Sequence, residues 1–173
     1  MLGKNNLRLP DCPRLDCKED FRAKIMHLIF RHIATLGFIG YVPFAQGTLA
    51  SILAFIIFII AKPSLHLHIV LLLFFIPVGV IASHLTENTL KEKDSRHIVI
   101  DEFCGYLLSV LFLPFSLSYA FAALILFRIF DILKPFPINK IESSLPGGCG
   151  VMADDIAAAV YANLVLQIWQ LAA

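Results

Sequence analysis

The chain has 173 residues, 58% of them hydrophobic and 16% charged, and a formal net charge of +1. Soluble domains carry roughly 25% charged residues, so this composition, with a mean hydropathy of +0.80, excludes an ordinary soluble domain. One compact, all-α membrane domain is expected, with no nucleic-acid partner.

The N-terminal stretch "MLGKNNLRLPDCPRLDCKED" has no apolar core or small-residue cleavage site of a secretory signal, so no removal is expected. Cys12 and Cys17 stand close, but without a second pair or nearby histidines they make a poor zinc site, and Cys104 and Cys149 are isolated. Residues 1–36 form an N-terminal region. Within it Phe21, Ile25, Leu28, Ile29, Ile33 and Leu36 recur at helical spacing, with Arg22, Lys24 and Arg31 elsewhere on the wheel. This pattern fits a basic amphipathic helix on an anionic membrane surface, and equally an ordinary packing helix.

Residues 37–173 read as a membrane-embedded domain of about five helices. "GFIGYVPFAQGTLAS" runs into the apolar "ILAFIIFIIA", a first span beginning near Thr48, which is a natural N-cap. A second span covers Leu67 to Ser83, with His84 at its end, and a third runs from Ile98 to Leu113. A fourth runs from Tyr119 to Leu133, and the last starts at Asp154. Five spans put the N-terminal region, residues 84–102 and residues 128–155 on one side. All 13 acids lie there, and so does every Lys and Arg except Lys62. The excess of Lys and Arg makes that side cytoplasmic.

Asp101 and Glu102 in "IVIDEFCGYLL", Arg128, Asp131 and Lys134 in "LFRIFDILKPFPI", and Asp154 and Asp155 after "LPGGCGVMA" therefore converge. Ionisable groups at membrane depth are costly and mark functional sites. Five carboxylates could bind a hard cation such as Mg2+, which takes oxygen ligands and bridges to phosphate. Arg128 and Lys134 could hold phosphate oxygens, and the backbone of Gly147, Gly148 and Gly150 could meet an anion at a helix N-terminus. The plainer alternatives are an Arg128–Asp131 structural ion pair and Asp154 as a helix cap. The glycine-rich loop of nucleotide hydrolases, a Cys-x5-Arg loop and the Pro-Ser-Gly-His signature of histidine-nucleophile lipid phosphatases are all absent. A different, metal-dependent phosphoryl chemistry at a membrane interface is the expectation.

At these residues the sequence resembles the phosphatidylglycerophosphatase A family, through four blocks between Gly37 and Tyr161: "GYVPFAQGTLAS", "IVIDEFCGYLL", "FRIFDILKPFPI" and "GGCGVMADDIAAAVYA". In that family the first block usually reads Pro-x-x-Pro-Gly-Thr-x-Gly-Ser; here Gln46 replaces the second proline and Ala50 a glycine, while Pro43, Gly47, Thr48 and Ser51 remain. The resemblance implies a Mg2+-dependent lipid phosphatase of the inner membrane, multi-pass, with its active site on the cytoplasmic side. It would hydrolyse phosphatidylglycerol phosphate in phosphatidylglycerol and cardiolipin biosynthesis. On that basis Asp101, Glu102, Asp154 and Asp155 are the expected metal ligands and catalytic residues, with Asp131 a further catalytic candidate. Arg128, Lys134, Thr48, Ser51 and the glycines Gly147, Gly148 and Gly150 are expected to bind the substrate phosphate. The attacking group is a water or a carboxylate. The rival classes are a headgroup transferase, which needs a second headgroup pocket, and a non-catalytic subunit or transporter, which places charges toward the bilayer midplane.

Overall fold

The computed structural model describes residues 14–90, 97–145 and 148–172. They form seven α-helices and no strand: α1 (Arg14–Ala34), α2 (Gln46–Ala61), α3 (Leu65–Leu90), α4 (Ile100–Ser109), α5 (Leu117–Leu133), α6 (Ile138–Ser144) and α7 (Gly148–Ala172), with a 3-10 turn at Ile39–Tyr41. Of the sequence expectations, Gly147 and Cys12 lie outside the described residues.

The short helix α4 is the axis of the molecule. Its Ile100, Phe103, Cys104, Tyr106 and Leu107 are all buried, and it packs against α2, α3, α5 and α7. Small residues set the close approaches: a Cβ on Gly105 would stand 2.6 Å from the ring of Phe127 on α5. The outward faces are apolar instead of polar. Ile56, Ile60, Leu73, Phe74, Phe121, Ile125, Leu164 and Ile168 are all exposed, an arrangement that costs free energy in water and is the expected outer coat in lipid.

Among the described residues two helices are long and apolar enough to cross a membrane, Leu65–Glu87 within α3 and Gly148–Ala172, while α2 is a shorter apolar helix. This is fewer than the expected five. The third expected span shrinks to the ten residues of α4 because the backbone leaves the helix at Val110, and Phe112 takes a positive φ of 62°. Non-helical backbone among apolar groups must find internal partners, and here it does. His68 Nε2 donates to Leu107 O at 2.9 Å, and Asn163 Nδ2 donates to Ser109 O at 3.0 Å and Leu111 O at 2.7 Å.

Two boundaries differ for local reasons. Helix α2 starts at Gln46, with Ala45 as its cap in the left-handed region (φ 48°) and no side-chain capping bond, so Thr48 is inside the helix and does not cap it. Helix α7 starts at Gly148, not Asp154. Its glycines do not form a loop, because a Cβ on Gly148 would lie 2.5 Å from His84 N and 2.7 Å from Val80 O. The small residue lets the helix press against the backbone of α3.

Ile33 on α1 and Leu36 just beyond its end pack against the core, whereas Phe21, Ile25, Leu28 and Ile29 on α1 are exposed. The helix is joined to the start of α4 by Val99 N–H donating to Ala34 O at 2.9 Å. His97 Nδ1 donates to Gly40 O at 2.6 Å, and the Tyr41 ring stacks on His97 with 5.1 Å between centroids.

Candidate active site

Four helix ends meet at a polar cavity of about 470 Å³. Asp101 and Glu102 occupy the first turn of α4, Asp131 the last turn of α5, and Lys134 the residue that closes α5. Asp154 and Asp155 stand almost two turns inside α7. All six line the cavity, together with Pro43, Ala45, Gln46 and Gly47 from the loop entering α2.

The carboxylates crowd. Oxygens of Asp101, Glu102 and Asp155 lie within 4.8 Å of one another, as do oxygens of Asp131, Asp154 and Asp155, so Asp155 belongs to both groups. Asp101, Asp154 and Asp155 are 6%, 6% and 3% exposed, so water does little to separate these charges. The cations are placed among them. Arg128 Nη1 reaches Asp131 Oδ2 at 2.6 Å, and Lys134 Nζ reaches Asp154 Oδ2 at 2.7 Å. Five carboxylates against these two cations leave three negative charges in excess. Glu102 Oε2 and Asp155 Oδ2 are buried with no hydrogen-bond partner, and so is Arg128 Nε. Buried polar atoms of folded proteins nearly always have partners, so the two carboxylate oxygens could take a cation and Arg128 Nε an anion.

The donor set fits a divalent metal ion. It consists of oxygens alone, and opposite ligands of one Mg2+-sized ion stand about 4.2 Å apart, twice the metal–oxygen distance. In both carboxylate groups the oxygens lie within 4.8 Å of one another, close to that span.

The backbone supports this arrangement at two places. Lys134 sits at φ 42°, and its N–H closes α5 on Phe130 O; that left-handed turn is strained for a non-glycine residue, and it brings the ammonium back to α7. At Gly47 an added Cβ would collide with the Glu102 carboxylate, 2.8 Å from its Cδ, and stand 3.1 Å from Arg128 Nη1. Only glycine lets α2 begin this close to the acid.

Not every expected residue arrives. Thr48 and Ser51 do not line the cavity, and the buried Ser51 hydroxyl donates to Gly47 O at 2.9 Å, within its own helix. Gly148 faces α3, and Gly150 is buried in the first turn of α7. For Gly148 the structure shows a packing contact with α3. Conversely, Gln46 lines the cavity unforeseen. Its one signal in the sequence is that it breaks the family's Pro-x-x-Pro pattern. The N–H groups of Gln46, Gly47 and Thr48 precede the first intrahelical bond, Leu49 N to Ala45 O, and are free to meet an anion. Cys104 and Cys149 are free thiols.

Fold and site together define a class: an all-helical chain, among the described residues, with two helices apolar enough to cross a membrane and an acidic pocket whose carboxylates could hold a metal ion. The family profile of phosphatidylglycerophosphatase A matches residues 32–170. Phosphatidylglycerophosphatase A of Haemophilus influenzae is 36% identical over 148 residues, covering 81% of this chain and 90% of that protein. The phosphatidylglycerophosphatase A of Escherichia coli is 31% identical over 138 residues, covering 78% and 80%. A Bacteroides thetaiotaomicron protein provisionally named a phosphatidylinositol-3-phosphatase is 36% identical over 138 residues, covering 75% and 86%. No solved structure gives a significant match. The chain belongs to the phosphatidylglycerophosphatase A family and is a phosphatase, a phosphoric monoester hydrolase.

Proposed function

We propose that this chain is a Mg2+-dependent phosphatase that hydrolyses phosphatidylglycerol phosphate to phosphatidylglycerol and inorganic phosphate. In this reading it works on the cytoplasmic side of the inner membrane and supplies phosphatidylglycerol and cardiolipin biosynthesis. The observation that carries the reading is Asp155, common to two carboxylate groups around one cavity, where Lys134 pairs with Asp154 and Arg128, behind the cavity wall, pairs with Asp131. The names of two relatives support the headgroup.

Asp101, Glu102, Asp154 and Asp155 would hold Mg2+, with Asp131 oriented beside them by Arg128. When bound, Mg2+ supplies neutralisation of the phosphomonoester and polarisation of its oxygens. The chain's own groups do the rest. Arg128 offers its unpartnered Nε–H, Lys134 its ammonium, and the first amides of α2 their N–H groups to the phosphoryl oxygens. The P–O bond to the glycerol breaks as an oxygen from water or a carboxylate bonds to phosphorus. By water attack, a pocket carboxylate takes the water's proton and the departing glycerol oxygen takes a proton back from the pocket acids. By carboxylate attack, the glycerol oxygen takes its proton from a neighbouring pocket acid, and a water then hydrolyses the acyl phosphate to release inorganic phosphate and the free carboxylate. A phosphorylated carboxylate trapped on acid quench would select the covalent route; its absence in single turnovers would select water.

The same reading embeds α2, α3, α4, α5 and α7 in the bilayer and lays α1 on its surface. Exposed Phe21, Ile25, Leu28 and Ile29 would enter the lipid while Arg22 and Lys24 meet anionic headgroups.

The deciding experiment is phosphate release by the purified protein, with Mg2+ and with chelator, from phosphatidylglycerol phosphate, phosphatidic acid and phosphatidylinositol 3-phosphate. Mg2+-dependent release selective for the first lipid is expected. Selectivity for the inositide would transfer the reading to the Bacteroides relative's name. No release by folded, metal-loaded protein would bring back the transferase and transporter readings.

A further inference from the structure

One side chain at the cavity differs in kind from the rest. Six of the lining side chains are ionisable, and Pro43, Ala45, Ile98 and Val151 are apolar; Gln46 alone is polar and neutral. Carboxylates suit a metal ion, and an ammonium suits a phosphoryl group. An amide suits neither as well. It has a carbonyl that accepts and an NH2 that donates, which matches a hydroxyl group, itself both donor and acceptor.

Nothing in the scaffold calls for glutamine at this place. Gln46 is the first residue of α2, directly after the left-handed Ala45, and proline, usual here in the family pattern, starts a helix equally well. The side chain is half-buried, and among the described residues its amide makes no hydrogen bond. Ser51, one turn further on, is by contrast tied to Gly47 O. The position of Gln46 also limits what it can meet. Its own N–H precedes the first intrahelical bond, and its neighbour Gly47 stands against the Glu102 carboxylate. A phosphoryl group received by the first amides of α2 therefore brings the carbons of its alcohol next to the Gln46 side chain.

Resting on the phosphatase reading above, we propose that Gln46 is a specificity-determining residue, which recognises a hydroxyl on the carbon next to the one that bears the phosphate. In phosphatidylglycerol phosphate this is the hydroxyl on the middle carbon of the headgroup glycerol. It donates to Gln46 Oε1 or accepts from Nε2. In phosphatidic acid the corresponding oxygen is acylated, so it has no proton to give and carries a fatty chain where the amide expects a small polar group. The ionisable residues act on the phosphate common to both lipids, and Gln46 reads the alcohol that distinguishes them.

The test compares phosphate release from phosphatidylglycerol phosphate with release from the analogue whose middle headgroup hydroxyl is replaced by hydrogen. Both are presented at equal mole fraction in detergent micelles with Mg2+. The parent should favour the natural headgroup by about tenfold in kcat/KM, as a site that hydrogen-bonds a hydroxyl rejects the lipid lacking it. Two variants remove the amide: Gln46→Met keeps the length of the side chain, and Gln46→Pro suits the first position of a helix. In either, the preference should fall to about twofold or less. A purely structural role would lower the rates on both lipids alike and leave their ratio in place. A parent that hydrolyses both lipids equally overturns the hydroxyl recognition and leaves the phosphatase reading standing. A preference that survives in the variants places the hydroxyl elsewhere and overturns the role of Gln46. No phosphate from either lipid, with folded and Mg2+-loaded parent, overturns the phosphatase reading and this inference with it.

Discussion

The two ends of α4 are treated in opposite ways. At its C-terminal end, where the helix stops among apolar side chains, the freed carbonyls of Leu107, Ser109 and Leu111 each receive a donor from His68 or Asn163, and Gln167 in turn donates to Asn163 Oδ1 at 2.6 Å. At its N-terminal end Glu102 Oε2 is buried with no partner, and Asp155 Oδ2 beside it is in the same state. A fold able to supply four hydrogen bonds from three side chains at one end has the means to satisfy the other. The difference separates what the scaffold needs for stability from what it holds ready for a ligand.

Four substitutions test this contrast, beginning with the largest effect. Asp155→Asn should lower kcat on the order of 10³-fold or more, since both carboxylate groups lose their common member. In chelator the same variant should melt no lower than the parent, because one of the crowded charges is gone. A melting point well below the parent would make Asp155 a scaffold residue. Asn163→Leu should do the reverse. Two buried carbonyls lose their donor, at about 1–3 kcal/mol each, while kcat per folded molecule stays near the parent value; thermal denaturation in detergent beside an active-fraction titration reads both. Gly47→Ala sharpens the comparison at the pocket edge. It pushes Glu102 and Arg128 aside and should cost on the order of tenfold in kcat/KM, with little change in melting. Smallest is Ala45→Gly, which relieves a left-handed residue at φ 48° and should raise stability by about 0.5 kcal/mol, measured by chemical denaturation.

How much of this was legible in the sequence follows from what kind of constraint each residue obeys. The acids declared themselves because ionisable groups in apolar runs have few other reasons to be there. The structure brings Asp101, Glu102, Asp131, Asp154 and Asp155 to one cavity, although the five spans expected from the sequence are not what it shows. Arg128 and Lys134 were legible for the same reason, although their carboxylate partners were only half foreseen. Thr48 and Ser51 were expected at the site but do not line the cavity, since one helical turn between two hydroxyls does not say which face of the helix they share. That is fixed by where α2 begins, and the left-handed turn at Ala45 has no signature in its own side chain. The glycines before Asp154 looked like a loop because glycine marks both turns and close helix contacts. The contact with α3 decided between them. The short α4 was hidden too, because its stop depends on Asn163, more than fifty residues away. Helix α6 escaped notice entirely, its seven residues being too few to show a period.

Gly148 has a mechanical consequence. It presses α7 against the backbone of α3 at a point about 10 Å along the helix from Asp155, so α7 behaves as a lever with its fulcrum outside the pocket. A methyl group added at the fulcrum would swing Asp154 and Asp155 together, leaving their spacing to each other unchanged while detuning both from Asp101, Glu102 and Asp131. The tolerance of the site is therefore set in part by a residue that touches none of its chemistry.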